Sequence, residues 1–460
     1  MPLPPSPKTP AFVQLMRWIF SPMSLMSECT QRYGDIYSLN LSRKSPNVIF
    51  VSNPQALQQI LTQDTRDDFS APGDLNDLFK SLLGDRSVIT LSGKEHQRQR
   101  QLMMPAFHGE RMRTYRQIID RVTAETIENI PVGHTFEVRA TTQAITLRVM
   151  MAAVFGLNTG ARAVKLEQLL VRLLDRGSSP LSVMMLYLPL LQQEFFGPWE
   201  TQMRLQREVD DTIYAEIQER HANPDASRTD ILSMLMAARD ELGTAMTDRE
   251  LRDELMTLLV AGHETTATAL AWALYWIHKL PTVKEKLLDE IDGLGENSDP
   301  NAILKLPYLD AVCNESLRIY PVAMLTLPRV VNKTVSIAGY ELVTGAVVLG
   351  SIYSTHQRAD LYPQPQQFRP ERFLERQFST FEFLPFGGGA RRCIGSAFAL
   401  FEMKIALVGI LARRELALVD LREIGAKRRG LVTAPARPIR MAVKSSRSLP
   451  SLALNTTQGF

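Results

Sequence analysis

Apolar residues recur along most of the chain at the three- and four-residue spacing of amphipathic helices. From about residue 54 to residue 320 almost every segment has this period, including a long amphipathic stretch at 199–220. Residues 33–52 instead hold two runs of alternating polarity on either side of a Ser-Pro-Asn turn, which predicts a β-hairpin. The chain is therefore helical through most of its first two thirds.

The last third changes character. Extended, proline-rich and β-branched segments fill residues 321–373, and a final helix is predicted from beyond Cys393 to about Arg414. No linker or internal repeat divides the interior. We expect one mainly α domain with small β-sheets over residues 31–443, preceded by a proline-rich lead-in and first helix at 1–30. Residues 444–460 are rich in Ser and Thr and are expected to form a disordered tail.

The longest helical pattern begins at a capping box, in which the hydroxyl of Thr247 and the carboxylate of Glu250 close the first turn. It continues to Leu280, where Pro281 ends it, so the helix spans roughly 50 Å at 1.5 Å per residue. Its middle reads LLVAGHETTATALAWAL, with polar residues at 263–266 inside an apolar helix. One interpretation is a packing glycine followed by threonines that bond to the preceding turn. The other is a groove in which Glu264 and Thr265 present a proton source and a hydroxyl to a ligand.

Composition narrows the classes of function. The 460 residues are 45% hydrophobic, and 52 basic against 49 acidic residues give a net charge of +3, which argues against a general nucleic-acid binder. The cysteines at 29, 313 and 393 have neither a disulfide framework nor zinc-site spacing, a usage that fits a reducing compartment. The N-terminus lacks a signal-peptide pattern, and the longest apolar run, 183–191, is too short to span a bilayer. We expect a cytoplasmic protein without a transmembrane anchor.

The stretch FGGGARRCIG carries the most unusual chemistry. Its glycines allow sharp turns, Arg391 and Arg392 flank Cys393, and a helix begins near Gly395 with its positive dipole end toward the sulfur. Each of these charges is expected to lower the pKa of the thiol and to favour a thiolate that binds a metal or acts as a nucleophile. No histidine arrangement supports the nucleophile, and the absence of a following Gly-Lys-Ser/Thr excludes a P-loop. A glycine turn with an incidental cysteine is the remaining alternative.

Four motifs, taken in order, resemble the cytochrome P450 superfamily of haem-thiolate monooxygenases, especially soluble bacterial and cyanobacterial members grouped with fatty-acid hydroxylases. The pattern Phe-x-x-Gly-x-Arg-x-Cys-x-Gly matches residues 386–395, and Ala-Gly-x-Glu-Thr-Thr matches 261–266. Glu-x-x-Arg matches Glu315 and Arg318, and FRPERF supplies Arg372. The resemblance covers roughly residues 30–440. It implies the cytochrome P450 fold, with the haem between the long central helix and the Cys-loop with the last helix.

The resemblance also implies roles for individual residues. Cys393 would be the axial thiolate ligand of the iron of haem b, and Thr265 with Glu264 would deliver protons during oxygen activation. Glu315, Arg318 and Arg372 would form a buried structural triad behind the cysteine loop. The remaining residues expected to bind the cofactor are His96, Arg100, Arg329, Arg391, Phe386, Gly387 and Gly395.

Among these, the cations would hold the haem propionates. His96 and Arg100 lie four residues apart on one helix face, and His96 stands where many family members have Trp. For Arg329 a solvated surface position is the alternative.

The implied reaction is hydroxylation or epoxidation of a hydrophobic small molecule, such as a fatty acid or terpenoid, with O2. The expected pocket walls, 69–89, 178–191, 260–265, 322–327 and 430–433, are rich in Met and Leu, although such stretches also form ordinary cores. Electrons would come from a ferredoxin or flavodoxin with an NAD(P)H-dependent reductase.

Basic residues near the cysteine loop would steer that donor, unless they form an ordinary solvated face. They are Arg391, Arg392, Lys404, Arg413 and Arg414.

Two rival functions keep the haem. One is a haem-thiolate isomerase, dehydratase or peroxygenase that does not activate O2, and the other is a non-catalytic haem-binding protein. Members of the first kind commonly lose the acid–threonine pair, which this chain keeps as Glu264 and Thr265.

Overall fold

The structure is a computed structural model that describes residues 1–41, 48–107, 111–157, 160–177, 179, 197–225, 227–294, 300–430 and 432–447. The apolar run 183–191 and the residues beyond 447 lie outside these ranges. Strand β12 continues to Ser446, so the described chain is ordered for three residues into the segment expected to be a tail.

Helices dominate the described chain. They are α1 (Ala11–Phe20), α2 (Pro22–Tyr33), α3 (Pro54–Thr62), α4 (Lys80–Leu83), α5 (Gly93–Met103), α6 (Arg111–Glu128), α7 (Val138–Phe155), α8 (Ala161–Gly177), α9 (Gly197–Ala222), α10 (Ile231–Ala237), α11 (Asp248–Lys279), α12 (Pro281–Asp292), α13 (Pro307–Ile319), α14 (Ile352–His356), α15 (Arg372–Glu375) and α16 (Ser396–Arg413). Short 3-10 turns occur at Asp74–Phe79, Met104–Phe107, Pro300–Lys305 and Gly389–Arg391.

The strands are short. They are β1 (Ile36–Leu39), β2 (Val48–Val51), β3 (Phe69–Ser70), β4 (Thr135–Glu137), β5 (Arg329–Val331), β6 (Val335–Ile337), β7 (Tyr340–Leu342), β8 (Val347–Gly350), β9 (Arg414–Leu418), β10 (Ala426–Arg429), β11 (Val432–Pro435) and β12 (Arg440–Ser446). The sequence predicted helix almost throughout residues 54–320, whereas β3 and β4 lie inside that range, because strands of two or three residues are too short to leave a period.

Four sheets assemble from these strands. The largest has the order β1-β2-β8-β5-β3, the second β4-β12-β9, and the pairs β6-β7 and β10-β11 stand alone. The strand pairing of the predicted hairpin is confirmed, since β1 and β2 pair antiparallel with Ile36 opposite Val51, while its Ser-Pro-Asn turn lies outside the described residues. β2 also pairs with β8, and these two strands are parallel. The large sheet therefore joins the beginning of the chain to its last third.

The central helix α11 is confirmed with its capping box, in which Thr247 and Glu250 exchange both hydrogen bonds. Its 32 residues span about 48 Å. Buried side chains surround it on almost every side, and it packs most closely against α7. Gly262 makes this approach possible, because a Cβ there would lie 2.7 Å from Met150 Sδ on α7. The helix thus crosses the main core and carries its polar middle into the interior.

Candidate active site

The loop before α16 is held in a fixed conformation by its own backbone. The Cys393 N–H donates to Phe386 O at 3.0 Å, and Gly387 and Gly389 have φ of +67° and +65°. A Cβ on Gly389 would also lie 2.1 Å from Asp64 Oδ2, so this position admits only glycine. The loop therefore presents Cys393 at a defined place at the start of the last helix.

The Cys393 thiol is accessible at its surface although many protein atoms surround it. Burial raises the pKa of this thiol, while the Gly395 N–H and the charges of Arg100 and Arg392 act in the opposite direction. Arg392 and the helix start at Gly395 thus lower the pKa of Cys393 as expected, but burial outweighs them, so the expected net preference for a free thiolate is wrong. A metal ion removes a thiol proton on coordination, so the geometry suits a metal ligand better than a free nucleophile.

A cluster of four cationic or potentially cationic side chains converges beside the loop. His96 and Arg100 come from α5, Arg329 begins β5, and Arg391 precedes the cysteine. Arg329 is almost fully buried, so the alternative of a solvated surface position is wrong. We call these four residues the cationic cluster.

One carboxylate lies inside this cluster. Asp64 accepts from Arg329 Nε at 2.8 Å and from the Ala390 N–H at 3.0 Å. Arg329 Nη2 also donates to Gly388 O at 2.8 Å, which ties β5 to the cysteine loop. Asp64 thus compensates one of the arginines and positions the loop at the same time.

Arg100 and Arg391 have no carboxylate partner among the described residues. Arg391 donates to the carbonyl oxygens of Ala71, Val88 and Leu91 at 2.6–2.8 Å, and Arg100 Nη1 donates to Arg392 O at 2.7 Å. Backbone carbonyls satisfy the donors of a guanidinium but do not neutralise its charge.

The pKa values reflect this surplus of positive charge. Burial, followed by the charges of Arg391, Arg100 and Arg329, lowers the pKa of His96 to about 4. Burial and the charge of Arg329 lower the pKa of Arg391 to about 10, against which Asp64 acts only in part. The cluster is therefore electrostatically incomplete, and carboxylates of a bound group would complete it.

The three residues predicted as a triad meet in the core. Glu315 accepts from Arg318 Nε at 2.6 Å and Nη2 at 2.8 Å, from Arg372 Nε at 3.1 Å and from the Arg369 N–H at 2.8 Å. The side chains of Glu315 and Arg318 are completely buried. Here the acceptors and donors are matched within the protein.

His356 links this triad to the cysteine loop. Its carbonyl oxygen accepts from Arg318 Nη1 at 2.9 Å, and its Nε2 accepts from the Leu384 N–H at 3.1 Å. Complete burial, followed by the charge of Arg318, lowers the pKa of His356 to about 3, so the ring is neutral as the second bond requires. Leu384 lies in the run that opens the loop, and the triad thereby braces the loop from behind.

In the polar middle of α11, Glu264 and Thr265 bond to different partners. The Thr265 hydroxyl donates to Ala261 O in the preceding turn, and both residues are accessible although the helix around them is buried. The Glu264 carboxylate instead accepts from Arg139 Nη2 at 2.5 Å and Gln143 Nε2 at 2.8 Å, both on α7. The structure thus shows Glu264 bonded to α7, with no hydrogen bond to the Thr265 hydroxyl among the described residues.

Four contributing residues escaped the sequence analysis: Asp64, Arg139, Gln143 and His356. Asp64 sits in the polar run LTQDTRDD, which reads as an exposed loop, and Arg139 and Gln143 read as the polar face of an amphipathic helix. Their significance comes from partners more than a hundred residues away, except for His356, whose nearest partner is 28 residues away. No local signal in the sequence identifies such pairs.

The expected basic patch near the cysteine loop is wrong in most of its members. Arg391 is buried, Lys404 pairs with Asp310 at 2.6 Å, and Arg413 pairs with Asp120 at 3.2 Å and with Glu128 at the same distance. Of the remaining two residues, Arg392 is exposed to solvent and Arg414 donates to backbone carbonyls. Acids thus neutralise two of the five residues and burial removes a third, and a count of basic residues along the chain ignores both effects.

Neither a membrane span nor a multi-residue metal cluster emerges from the part of the chain that the structure describes. Its helices are too short or too polar to cross a bilayer. Its His, Cys, Asp and Glu side chains form no group of three or more suited to a metal ion. The candidate metal ligand is the single thiol of Cys393.

Comparison with known proteins agrees with this geometry. A family model described as cytochrome P450 matches residues 3–442. The chain is similar to the Mycobacterium tuberculosis protein named cytochrome P450 135B1, with 36% identity over 460 residues, which is all of this chain and 95% of the relative. It is also similar to cytochrome P450 135A1 of the same organism, with 32% identity over 412 residues, covering 89% of this chain and 88% of the relative.

A solved structure is similar in three dimensions. The cyanobacterial CYP120A1 with retinoic acid bound superimposes with a TM-score of 0.81 and 25% sequence identity. The superposition covers 97% of this chain and 100% of the other.

Proposed function

This chain belongs to the cytochrome P450 family, and from that membership we propose that it hydroxylates a long apolar acid of the fatty-acid or terpenoid class. It is a haem-dependent monooxygenase with the mainly helical fold of the family. The finer assignment of its substrate, electron donor and catalytic residues is our proposal. The observation that carries the haem-dependent reaction is the exposed Cys393 beside arginines that have no carboxylate partner among the described residues, and the substrate class rests on the accessible alanines described below.

The residues fit a haem. Cys393 would bind the iron through its thiolate, and Phe386, Gly387 and Gly395 would hold the loop under the cofactor. Arg100 and Arg391, which lack carboxylate partners among the described residues, would receive the propionates together with Arg329 and His96. When bound, the haem supplies the activation of dioxygen for insertion into a C–H bond.

The acid–threonine pair would control protons. The Thr265 hydroxyl donates to Ala261 O in the preceding turn, as the first interpretation of this segment expected, and the Thr265 side chain is partly accessible. Glu264 accepts from Arg139 and Gln143, and these two bonds hold its carboxylate against α7. Glu264 would have to release one of these partners to take up a proton and pass it toward Thr265. In this arrangement α7 controls when the acid is available.

Two accessible alanines beside buried apolar residues support the substrate class, and we place the substrate cavity next to them. Ala261 is exposed at the middle of a buried helix, and Ala323 is exposed between the buried residues Val322 and Met324. Ligand cavities are lined mainly by apolar side chains, so accessible apolar residues among buried ones are consistent with such a lining. The similar cyanobacterial structure contains retinoic acid, which is a long apolar acid.

Electrons would be delivered by a separate ferredoxin or flavodoxin with its NAD(P)H-dependent reductase. Because acids neutralise Lys404 and Arg413, we expect donor recognition to depend less on salt than a net basic surface would. Product analysis after reconstitution with each donor and with dodecanoic or retinoic acid tests this assignment. No product with either acid and either donor would contradict it.

The role of Thr265 is tested by Thr265→Ala. The variant should bind haem and substrate but lose about tenfold or more of its product per NAD(P)H, since a positioned proton donor contributes roughly 10²–10⁴ in rate. The lost electrons should appear as peroxide. Product, NAD(P)H consumption and peroxide are measured together.

The matched control is Thr266→Ala, because Thr266 is buried and lies about 100° further around the helix. It should keep the coupling of the unmodified protein. If Thr265→Ala also keeps it, the threonine only packs, and a peroxide-driven reaction becomes the better assignment.

A further inference from the structure

The hairpin of β10 and β11 carries three consecutive cations with different surroundings. In its register Arg428 lies opposite Thr433 and Arg429 lies opposite Val432, so the two arginines point to opposite faces. Arg428 stacks over Trp18 at 5.3 Å and donates to Trp18 O and Gly430 O at 3.0 Å. Arg428 is thus fully committed to the structure of the protein.

Arg429 is not committed in this way. It shares its face of the hairpin with Val432, which packs on the main core. Its Nε is buried and has no hydrogen-bond partner among the described residues. Its ion pair is with Asp175 on α8, at 3.7 Å, which is beyond hydrogen-bond distance. A guanidinium with a buried N–H that has no acceptor can donate that bond to an anion.

The hairpin also adjoins the proposed cavity. The Thr433 N–H donates to Val322 O at 2.9 Å, and the next residue, Ala323, is the exposed alanine described above. Asp175 lies in the last turn of α8, so its contact with Arg429 joins that helix end to the hairpin. Arg429 is therefore a partly buried cation on a hairpin that is bonded to the segment carrying Ala323.

We propose that Arg429 binds the carboxylate of an apolar acid substrate, and that Asp175 occupies this guanidinium until the acid arrives. This inference rests on the proposed function and specifies the residue that binds the carboxylate of the substrate. The exchange is favourable because the Asp175 pair is long and partly exposed, and such pairs contribute little. A substrate carboxylate can instead accept two parallel N–H bonds from the guanidinium, which is a bidentate pair.

The experiment compares dodecanoic acid with 1-dodecanol, which has the same chain without the charge. Dissociation constants for both ligands are measured on the holoprotein by calorimetry and by the change in haem absorbance. The unmodified protein should prefer the acid by about tenfold or more, the difference that 1.4 kcal/mol produces. Arg429→Gln should remove that preference while its affinity for the alcohol stays the same.

Three further variants make the result specific. Lys427→Gln removes the same charge two residues away, at an exposed position, and should leave the preference intact. Arg429→Lys keeps the charge without the fork and should fall between the unmodified protein and Arg429→Gln. Asp175→Asn should bind the acid a few times more tightly, because the competing carboxylate is gone.

An unchanged preference in Arg429→Gln, or an equal loss in Lys427→Gln, would overturn this assignment and leave the proposed function standing. If the unmodified protein binds neither ligand, the proposed substrate class fails and the assignment fails with it. Haem content and thermal unfolding of each variant establish that the protein is folded.

Discussion

Two groups of buried or half-buried arginines flank the cysteine loop, and they differ in how their charge is balanced. In the triad one carboxylate, Glu315, receives two guanidiniums and a backbone N–H, and all of its bonds lie between residues of the protein. In the cationic cluster Asp64 serves Arg329, while Arg100 and Arg391 are left with carbonyl oxygens.

The difference separates a structural element from a binding element. Every carboxylate oxygen of Glu315 has a protein donor, so the triad is complete before any cofactor binds. In the cationic cluster burial, and after it the charges of the neighbouring arginines, lower the pKa values of His96 and Arg391, and an anionic ligand would supply the missing counter-charge. A buried charge that the protein does not balance therefore indicates what it binds.

Breaking the triad should have the largest effect. Glu315→Gln leaves two buried guanidiniums without a counter-charge and should lower the free energy of unfolding by about 3–5 kcal/mol. Chemical denaturation of the holoprotein measures it. The control is Glu375→Gln, which removes an exposed partner of Arg369 and should cost about 0–1 kcal/mol. Equal effects of the two substitutions would mean that burial does not distinguish these pairs.

Opening the cationic cluster should act on the cofactor rather than on the fold. Arg100→Ala should speed haem loss about tenfold or more, since a charge-assisted bond contributes about 1.5–3 kcal/mol. The stability of the haem-free protein should hardly change, because one repulsive charge has been removed. Haem transfer to apomyoglobin and urea unfolding of the apoprotein measure the two quantities.

The control for this experiment is Arg113→Ala, which removes an exposed arginine from α6. It should alter neither quantity. If Arg100→Ala destabilises the apoprotein as much as it weakens haem retention, the cluster belongs with the triad as a structural element.

A buried carboxylate with no charge partner in the described part of the chain sharpens the comparison. Glu402 lies in the middle of α16, completely buried, and neither of its oxygens has a hydrogen-bond partner among the described residues. Burial raises the pKa of Glu402 well above its usual value near 4.5. The folded state therefore holds this proton more tightly than the unfolded state does. The stability that the protonated Glu402 contributes is fully present below a pH of about 4.5. It is lost as the pH rises toward the pKa of Glu402 in the folded state.

Glu402→Gln should remove that loss and be more stable than the unmodified protein at pH 8. Each unit by which the pKa is raised corresponds to about 1.4 kcal/mol. The advantage should vanish below pH 4, where both side chains are neutral. Thermal unfolding of both proteins at pH 4, 6 and 8 gives the difference in their stability. A difference that does not depend on pH would contradict the raised pKa of Glu402.

The elements that the sequence predicted well are those whose signal is local. The capping box at Thr247, the proline after Leu280 and the alternation around residues 33–52 each specify a structure within a few residues. The cysteine loop belongs to the same kind, since its glycines, cations and thiol are contiguous.

The parts that the sequence did not predict depend on distant partners. Asp64 and Arg329 lie 265 positions apart, and the sequence around either residue does not indicate that the other is its partner. The pKa of Cys393 was expected to fall because its charged neighbours are visible in the sequence, whereas the burial that raises it is not. The basic patch failed for a related reason, since Asp120 and Asp310 approach it from other helices.

The parallel pairing of β2 with β8 also sets the order in which the protein can fold. Val48 meets Val347 across about 300 residues of chain, so the sheet closes only after the ribosome has delivered three quarters of the protein. Arg329 and the cysteine loop, at residues 386–395, emerge late as well. Cofactor insertion therefore follows synthesis, and until then β1 and β2 expose an apolar edge that makes the nascent chain prone to aggregation.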